Sequence, residues 1–417
     1  MSGVGGRAPG SGAEGPAPVT VVANPRHDAH LHYGPEHRAI LDLDRHASAR
    51  AEIMSWPGYR ATPLIDLPGL AAEAGVARLR VKDEGGRFGL GSFKAIGGAY
   101  AVLLVLARAV RAATGEAVTA TGLAAGEYRH IVADITVTCA TDGNHGRAVA
   151  WAARTFGCRC VVYLHERVSA GRADAIAAYG AETVRVSGNY DDSVRRAQHD
   201  AEQFGRFVIS DTAYPGCEDV PRDVMQGYTL IAAEVLEQIA DGDAPTHIFL
   251  PGGVGGLAAA VAGHLWQTLG ADRPRLIVVE PQRAACLLES ARAGYCIRLD
   301  GDIDTVMACL SCGEPSTLAW TILDTAADAF VAIPDDAAID AVRALAKPHP
   351  GDARIVAGES GAAAVAALLT LADLPDARRS LGMDARSHVL CIVTEGATDP
   401  EIWRRILEGA DRYRPAR

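Results

Sequence analysis

The feature that most constrains this chain is a rhythm. Short β-branched or apolar runs, at residues 77–83, 134–139, 159–164, 182–187, 206–211, 246–251, 276–281 and 388–394, alternate with Ala-rich runs of helical length. Strands separated by helices build βαβ units, in which the crossover helices cover the faces of a mainly parallel sheet. The expected class is therefore α/β. With 417 residues the chain is long enough for two domains, each a mainly parallel twisted sheet flanked by helices. Hydrophobic residues reach 49% while aromatics are only 6%, so the core has to be made of Ala, Val, Leu and Ile.

Residues 1–26 are rich in Gly, Pro, Ala and Ser, too poor in apolar surface to offset the cost of ordering, and are expected to form a disordered tail. Gly115 to Tyr128 breaks the rhythm and is expected to be an inserted surface loop. The net charge of −11 comes with no dense run of Lys and Arg, which argues against nucleic acid as a partner. No apolar stretch reaches the roughly 20 charge-free residues that cross a bilayer, and the N-terminus lacks the order of a signal peptide. A cytoplasmic protein without a membrane partner is expected. Nine cysteines lack a disulfide-framework spacing. Cys158 with Cys160, and Cys309 with Cys312, have no second Cys/His pair at a suitable distance, so no metal site is expected.

Four segments carry polar or Gly clusters where strands give way to helices. In Gly89-Leu90-Gly91-Ser92-Phe93-Lys94-Ala95-Ile96-Gly97-Gly98, Lys94 stands near a helix start. The positive end of the helix dipole and burial would both lower its pKa and supply neutral amine to attack a carbonyl. A solvated Lys beside a Gly-rich turn is the plain alternative. Thr141-Asp142-Gly143-Asn144-His145-Gly146 follows the strand at 134–139, at the C-terminal end where open α/β sheets bind ligands. Helix capping by Asp142 would explain only part of it.

Gly252-Gly253-Val254-Gly255-Gly256 opens the helix from Leu257, and bare amides at a helix start suit a phosphate. The same stretch fits G-x-G-x-x-A through Gly253, Gly255 and Ala258, and Glu280 ends the next strand, so a nucleotide-binding module without turnover is a rival reading. Thr394-Glu395-Gly396-Ala397-Thr398-Asp399-Pro400 follows the last strand, and Gly358-Glu359-Ser360-Gly361 reads as a helix-start anion site or a plain N-cap.

In the order lysine loop, Asn turn, glycine loop and terminal Thr, these segments resemble the fold-type II pyridoxal-phosphate enzymes, the tryptophan-synthase β family. Within it the likeness is to the diaminopropionate ammonia-lyases, through FGLGSFKAIGGAYAV, ATDGNHGRAVAWAA, DTAYPGCEDVP followed by MQGY, VEPQRAACLLESARAG, MACLSCGEPSTLAW and TEGATDP. It covers about residues 27 to 410.

That resemblance implies a large cofactor-binding domain from 27–97 and 221–417, a small domain from 98–220, and a homodimer. Pyridoxal 5'-phosphate would be carried by Lys94 as a Schiff base. Asn144 would face its phenolic oxygen, the amides of Gly252, Gly253, Val254, Gly255 and Gly256 its phosphate, and Thr394 its pyridine nitrogen. A hydroxyl at that nitrogen protonates the ring poorly and favours β-elimination over transamination.

The resemblance also places Lys94, Asp142 and Asp211 in catalysis on a small amino acid. Lys94 and Asp142 would act as bases on opposite faces of Cα, so that both L- and D-2,3-diaminopropionate would react, and Asp211 would serve the departing β-amine. The products would be pyruvate and ammonia. Serine or threonine dehydration and β-replacement are the alternatives. Cys217, where the family usually shows an aromatic, and the segment 115–128 are departures that bear on the substrate. Pairing of Cys286 with Cys312 stays open.

Overall fold

The computed structural model describes residues 19–409 apart from 142, 189 and 241, and only the backbone of 191. The strands are β1 (Thr20–Ala23), β2 (Leu64–Asp66), β3 (Arg78–Asp83), β4 (Thr136–Ala140), β5 (Arg159–His165), β6 (Glu182–Val186), β7 (Phe207–Val208), β8 (His247–Pro251), β9 (Arg275–Pro281), β10 (Ala329–Ile333) and β11 (His388–Val393). They form two sheets. The larger has the order β1-β10-β9-β8-β11-β3-β2 and the smaller β6-β5-β4-β7. Every pairing in the smaller sheet is parallel. In the larger, β1 on β10 and β2 on β3 are antiparallel edges to a parallel centre, the mixed arrangement common in α/β folds.

The central strands show why their sequences are apolar throughout. Successive side chains of a strand point to opposite faces. Ile248 and Leu250, Leu276 and Val278, Phe330 and Ala332 join one core cluster. Their neighbours Phe249, Ile277, Val279, Val331 and Ile333 join the other. Both faces of the sheet are covered by helices, so neither register can be polar.

All eight sequence-expected strands are present, although β7 shrinks to two residues. The tail expectation needs correction at its end: Thr20–Ala23 pairs with Ala329–Ala332, and residues 1–18 lie outside the described residues. The segment 115–128 is also not a bare loop. Thr119 accepts a hydrogen bond from the Gly122 amide and caps a helix at Ala120–Ala125, because its side chain satisfies an otherwise orphaned donor.

The helix Lys94–Thr114 is long and apolar enough to cross a membrane by length and composition, but 67% of that window is inside the molecule. Its composition answers to packing. It crosses the helix Asp219–Gln238 at two glycines: a Cβ on Gly97 would lie 2.3 Å from Cε1 of Tyr228, and one on Gly227 2.1 Å from the Ile96 carbonyl oxygen. The backbones meet because neither position carries a side chain. This close crossing brings Tyr228 to the start of the lysine helix.

Candidate active site

Five strands deliver residues to one cleft from their C-terminal ends. After β3, a 3-10 turn at Glu84–Gly89 leads to Gly91 (φ +79°) and to the helix that starts at Lys94 itself. This loop is fastened to the end of β11: the Phe93 amide donates to the Thr394 carbonyl at 3.1 Å, and the Gly396 amide to the Gly91 carbonyl at 2.9 Å. Lysine loop and terminal Thr are therefore tied together.

Lys94 Nζ donates to Asp211 Oδ2 at 2.6 Å, with the two side chains 18% and 15% exposed. The aromatic rings of Phe93 and Tyr228 stand 5.1 and 5.9 Å from the ammonium. Here the expected charge state is corrected. Burial does push the lysine down, but the Asp211 carboxylate outweighs it and holds the ammonium well above the ordinary lysine value. Burial likewise pushes Asp211 up, and Lys94 with His145 overrides it, leaving the carboxyl below its ordinary range. The two form a charged pair, not a neutral amine beside an acid.

Asn144 is the first residue of the helix Asn144–Phe156. The helix start is served by Thr141, whose Oγ1 accepts from the Gly143 and Gly146 amides at 3.0 and 3.2 Å. Asp142 lies outside the described residues. Asn144 Nδ2 donates to Glu395 Oε2 and to Cys309 Sγ, the latter at 3.4 Å. Thr394 is 5% exposed and lines the same cleft.

The glycine loop connects β8 to the helix Gly256–Leu269. Gly253 and Gly255 have φ of +58° and +94°, a region that L side chains rarely adopt. The Gly255 amide closes on the Gly252 carbonyl at 3.0 Å, and the first helical amides are left for an outside acceptor. Phosphate is the acceptor such a turn suits. The nucleotide reading fails on Glu280. That carboxylate is fully buried and takes the Leu287 and Leu288 amides at 2.8 Å each, so it caps the helix Cys286–Ala293 and cannot reach a ribose.

The segment Gly358 to Gly361 is neither an anion site nor a plain cap. A Cβ on Gly361 would lie 2.3 Å from the Glu395 carbonyl oxygen, Ser360 Oγ accepts from the Cys309 amide at 3.1 Å, and Glu359 pairs with Arg172 at 3.1 Å. Burial, helped by the Glu395 charge, pushes the Glu359 carboxyl up to about 7. Cys286 and Cys312 are not joined in a disulfide, and no cluster of three or more potential metal ligands occurs among the described residues.

Three site groups were not singled out in the sequence. Glu395 is 1% exposed with Oε1 unpartnered, and Tyr228 and His145 are buried with the hydroxyl and Nδ1 unpartnered. All three lie inside quoted motifs, so the available signal was a polar residue in an otherwise apolar stretch. A wider opening of about 850 Å³ beside His30, Arg38 and Trp266 has none of these strand-end groups.

A lysine and a glycine turn suited to an anion, lining one cleft with the orphaned polar atoms of His145, Tyr228 and Glu395, fit a phosphorylated carbonyl cofactor. The family model described as pyridoxal-phosphate dependent enzyme matches residues 55–395. The diaminopropionate ammonia-lyase of Salmonella typhimurium is 39% identical over 361 residues, 84% of this chain and 89% of the relative. The chain belongs to the diaminopropionate ammonia-lyases, within the pyridoxal-phosphate-dependent enzymes. The holo diaminopropionate ammonia-lyase of Escherichia coli superposes with a TM-score of 0.86 at 34% identity, over 94% of this chain and 97% of that one. The same enzyme in complex with D-serine gives a TM-score of 0.85, also at 34% identity, over 94% and 98%. Fold type II and pyridoxal phosphate as cofactor are thereby established for this family member.

Proposed function

We propose that this chain eliminates ammonia from 2,3-diaminopropionate, giving pyruvate and two ammonia, with Lys94 and Asp211 as the working pair. The observation that carries this is the 2.6 Å contact of Lys94 Nζ with Asp211 Oδ2 in the lining of the cleft. Bound pyridoxal phosphate supplies an electron sink for negative charge at Cα. Gly252 to Gly256 would hold the phosphate, Asn144 the phenolic oxygen and Thr394 the pyridine nitrogen.

Lys94 then takes the Cα proton on one face. Asp211, within reach of that nitrogen, holds a proton at Oδ2 for the β-nitrogen, which leaves with the electron pair of the breaking Cβ–N bond. Asp142 is the proposed base on the other face, which would admit the D-isomer; the D-serine complex of the Escherichia coli relative supports a site open to that hand. Aminoacrylate leaves and water converts it to pyruvate and the second ammonia. A cytoplasmic homodimer completes the reading.

The test is pyruvate release by purified protein from L- and D-diaminopropionate, side by side with serine and threonine. Pyruvate from diaminopropionate at a kcat/KM above that for either hydroxy amino acid is expected. No pyruvate from either diaminopropionate isomer defeats the proposal, and faster turnover of serine or threonine would favour a dehydratase.

A further inference from the structure

His145 is the second residue of the helix Asn144–Phe156 and is 5% exposed. Its Nε2 lies 2.8 Å from the Ile209 carbonyl oxygen. A carbonyl can only accept, so Nε2 keeps its proton whether the ring is neutral or charged, and Nδ1 is the nitrogen that titrates. That Nδ1 is buried without a hydrogen-bond partner. It stands 3.9 Å from Asp211 Oδ2, the same oxygen that receives Lys94.

An orphaned buried acceptor is costly, yet a shape-matched apolar ring would fill the space as well. The fold keeps a basic nitrogen there, 3.9 Å from the carboxylate that pairs with Lys94. The surroundings leave Asp211 as its only facing carboxylate among the groups that act on it. Lys94 opposes its charge from the lysine helix. Gly98 of that helix places its missing Cβ only 3.5 Å from Nδ1. Tyr228, from the helix Asp219–Gln238, and Cys139, from β4, flank the Lys94–Asp211 pair, and burial pushes the ionisation of both up. Cys309 faces Lys94 from the far wall.

We infer that His145 is a positioning residue that stores the proton Asp211 delivers to the departing β-amine. The inference rests on the role proposed above for Asp211. While Lys94 is an ammonium, Asp211 has its counter-charge and needs no proton. Once Lys94 is covalently engaged or neutral, the carboxylate is left buried beside His145, and the pair binds one proton between Oδ2 and Nδ1. As the Cβ–N bond breaks, the nitrogen takes the bonding pair and that one proton, which passes from Nδ1 through Asp211 Oδ2 and leaves the pair unprotonated. Lys94, carrying the Cα proton, returns that proton to Asp211 and so to His145 when its amine is next engaged. The proton count closes without an outside acid.

The test uses the holoenzymes of His145→Gln and His145→Asn. Glutamine can still reach the Ile209 carbonyl with its amide but places nothing titratable beside Asp211; asparagine fills the Nδ1 position without titrating. In wild type, kcat falls on the alkaline side as the stored proton is lost. Both variants are expected to lower kcat about 10- to 100-fold with KM within about threefold. Their kcat should be flat across that pH range, and the pH titration of the bound cofactor's absorbance should move. A variant that keeps the wild-type alkaline limb and absorbance titration overturns the inference. Asp211→Asn separates the two readings: full activity there refutes the role of Asp211, whereas loss there with an unchanged pH profile in His145→Gln refutes only the role of His145.

Discussion

Two buried charge clusters stand within one stretch of chain, and they are finished differently. In the first, Lys82 donates to Glu234, Gln238 and the Thr62 carbonyl at 2.6–2.8 Å, and Arg87 spans Glu84 and Glu234 at 2.6–2.9 Å. All four charged groups are at most 1% exposed. Two cations meet two carboxylates, Thr62 and Tyr59 take up further oxygen lone pairs, and no side-chain atom of these four is left unpartnered. In the second, Lys94 meets Asp211, but His145 Nδ1, the Tyr228 hydroxyl and Glu395 Oε1 are left without partners. A fully satisfied buried network rigidifies a fold, whereas a half-satisfied one is costly and needs a reason. The first cluster holds Arg87 next to Phe88, the one described non-Gly residue at positive φ (+50°), and so fixes the approach to the lysine loop. The second has kept its open valences for a cofactor and substrate.

The sharpest way to break this contrast is to remove one charge from each cluster. Lys94→Ala is expected to abolish pyruvate formation, by more than about 10⁴-fold, while the protein still folds, since Lys94 is partly exposed and its ion pair is with Asp211. Activity and the visible absorbance of the purified protein report this. Glu234→Ala should do the reverse. It strands Lys82 and one side of Arg87 in the interior, a loss of about 3–5 kcal/mol, read by chemical denaturation, while kcat per folded molecule stays within about threefold. Comparable activity losses in both variants would mean that the two clusters are one catalytic unit.

A methyl group at the crossing of the two helices probes the link between the clusters. Gly97→Ala would press on Tyr228 Cε1 at 2.3 Å and on the Val224 carbonyl at 2.7 Å, and overpacking of this kind costs about 1–3 kcal/mol. Because Tyr228 faces Lys94, KM for the substrate should rise along with the fall in melting temperature. A stability loss with unchanged kinetics would show that Tyr228 only fills space.

Sequence alone went far where the cue was local. The strands that line the cleft, the Lys94 helix start, the Asn144 turn, the glycine loop and Thr394 each announce themselves by Gly or polar residues at the end of an apolar run. What escaped depends on partners distant along the chain. The charge on Lys94 is decided by Asp211, 117 residues away, so a local argument from dipole and burial gave the wrong sign. Glu395 stands in the polar cluster after the last strand, but its meeting with Asn144 spans 251 residues. β1 pairs its Thr20 with Ala332, and a Gly/Pro-rich flank hides it. Lys82 and Arg87 look like ordinary strand-edge charges until the fold buries them against Glu234.

Glu280 sharpens the contrast from a third direction, because it is a buried carboxylate with neither a cation nor an open site. Two backbone amides at a helix start are its main partners, and these lower its pKa, but burial wins and pushes the carboxyl up to about 8. Raised from an ordinary 4.5, such a group favours the folded state below pH 4.5 and loses that contribution as pH rises to about 8, at up to about 1.4 kcal/mol per pH unit. Thermal melts between pH 5 and 8.5 should therefore slope downward more steeply in wild type than in Glu280→Gln, which cannot ionise. Glu234 predicts no such slope of its own: burial opposes its charge, but Arg87 and Lys82 hold its carboxyl below the ordinary range, so it stays ionised throughout that window. Parallel melting curves for wild type and Glu280→Gln would show that the two amides suffice to keep Glu280 charged, and that dipoles there do what Lys82 and Arg87 do for Glu234.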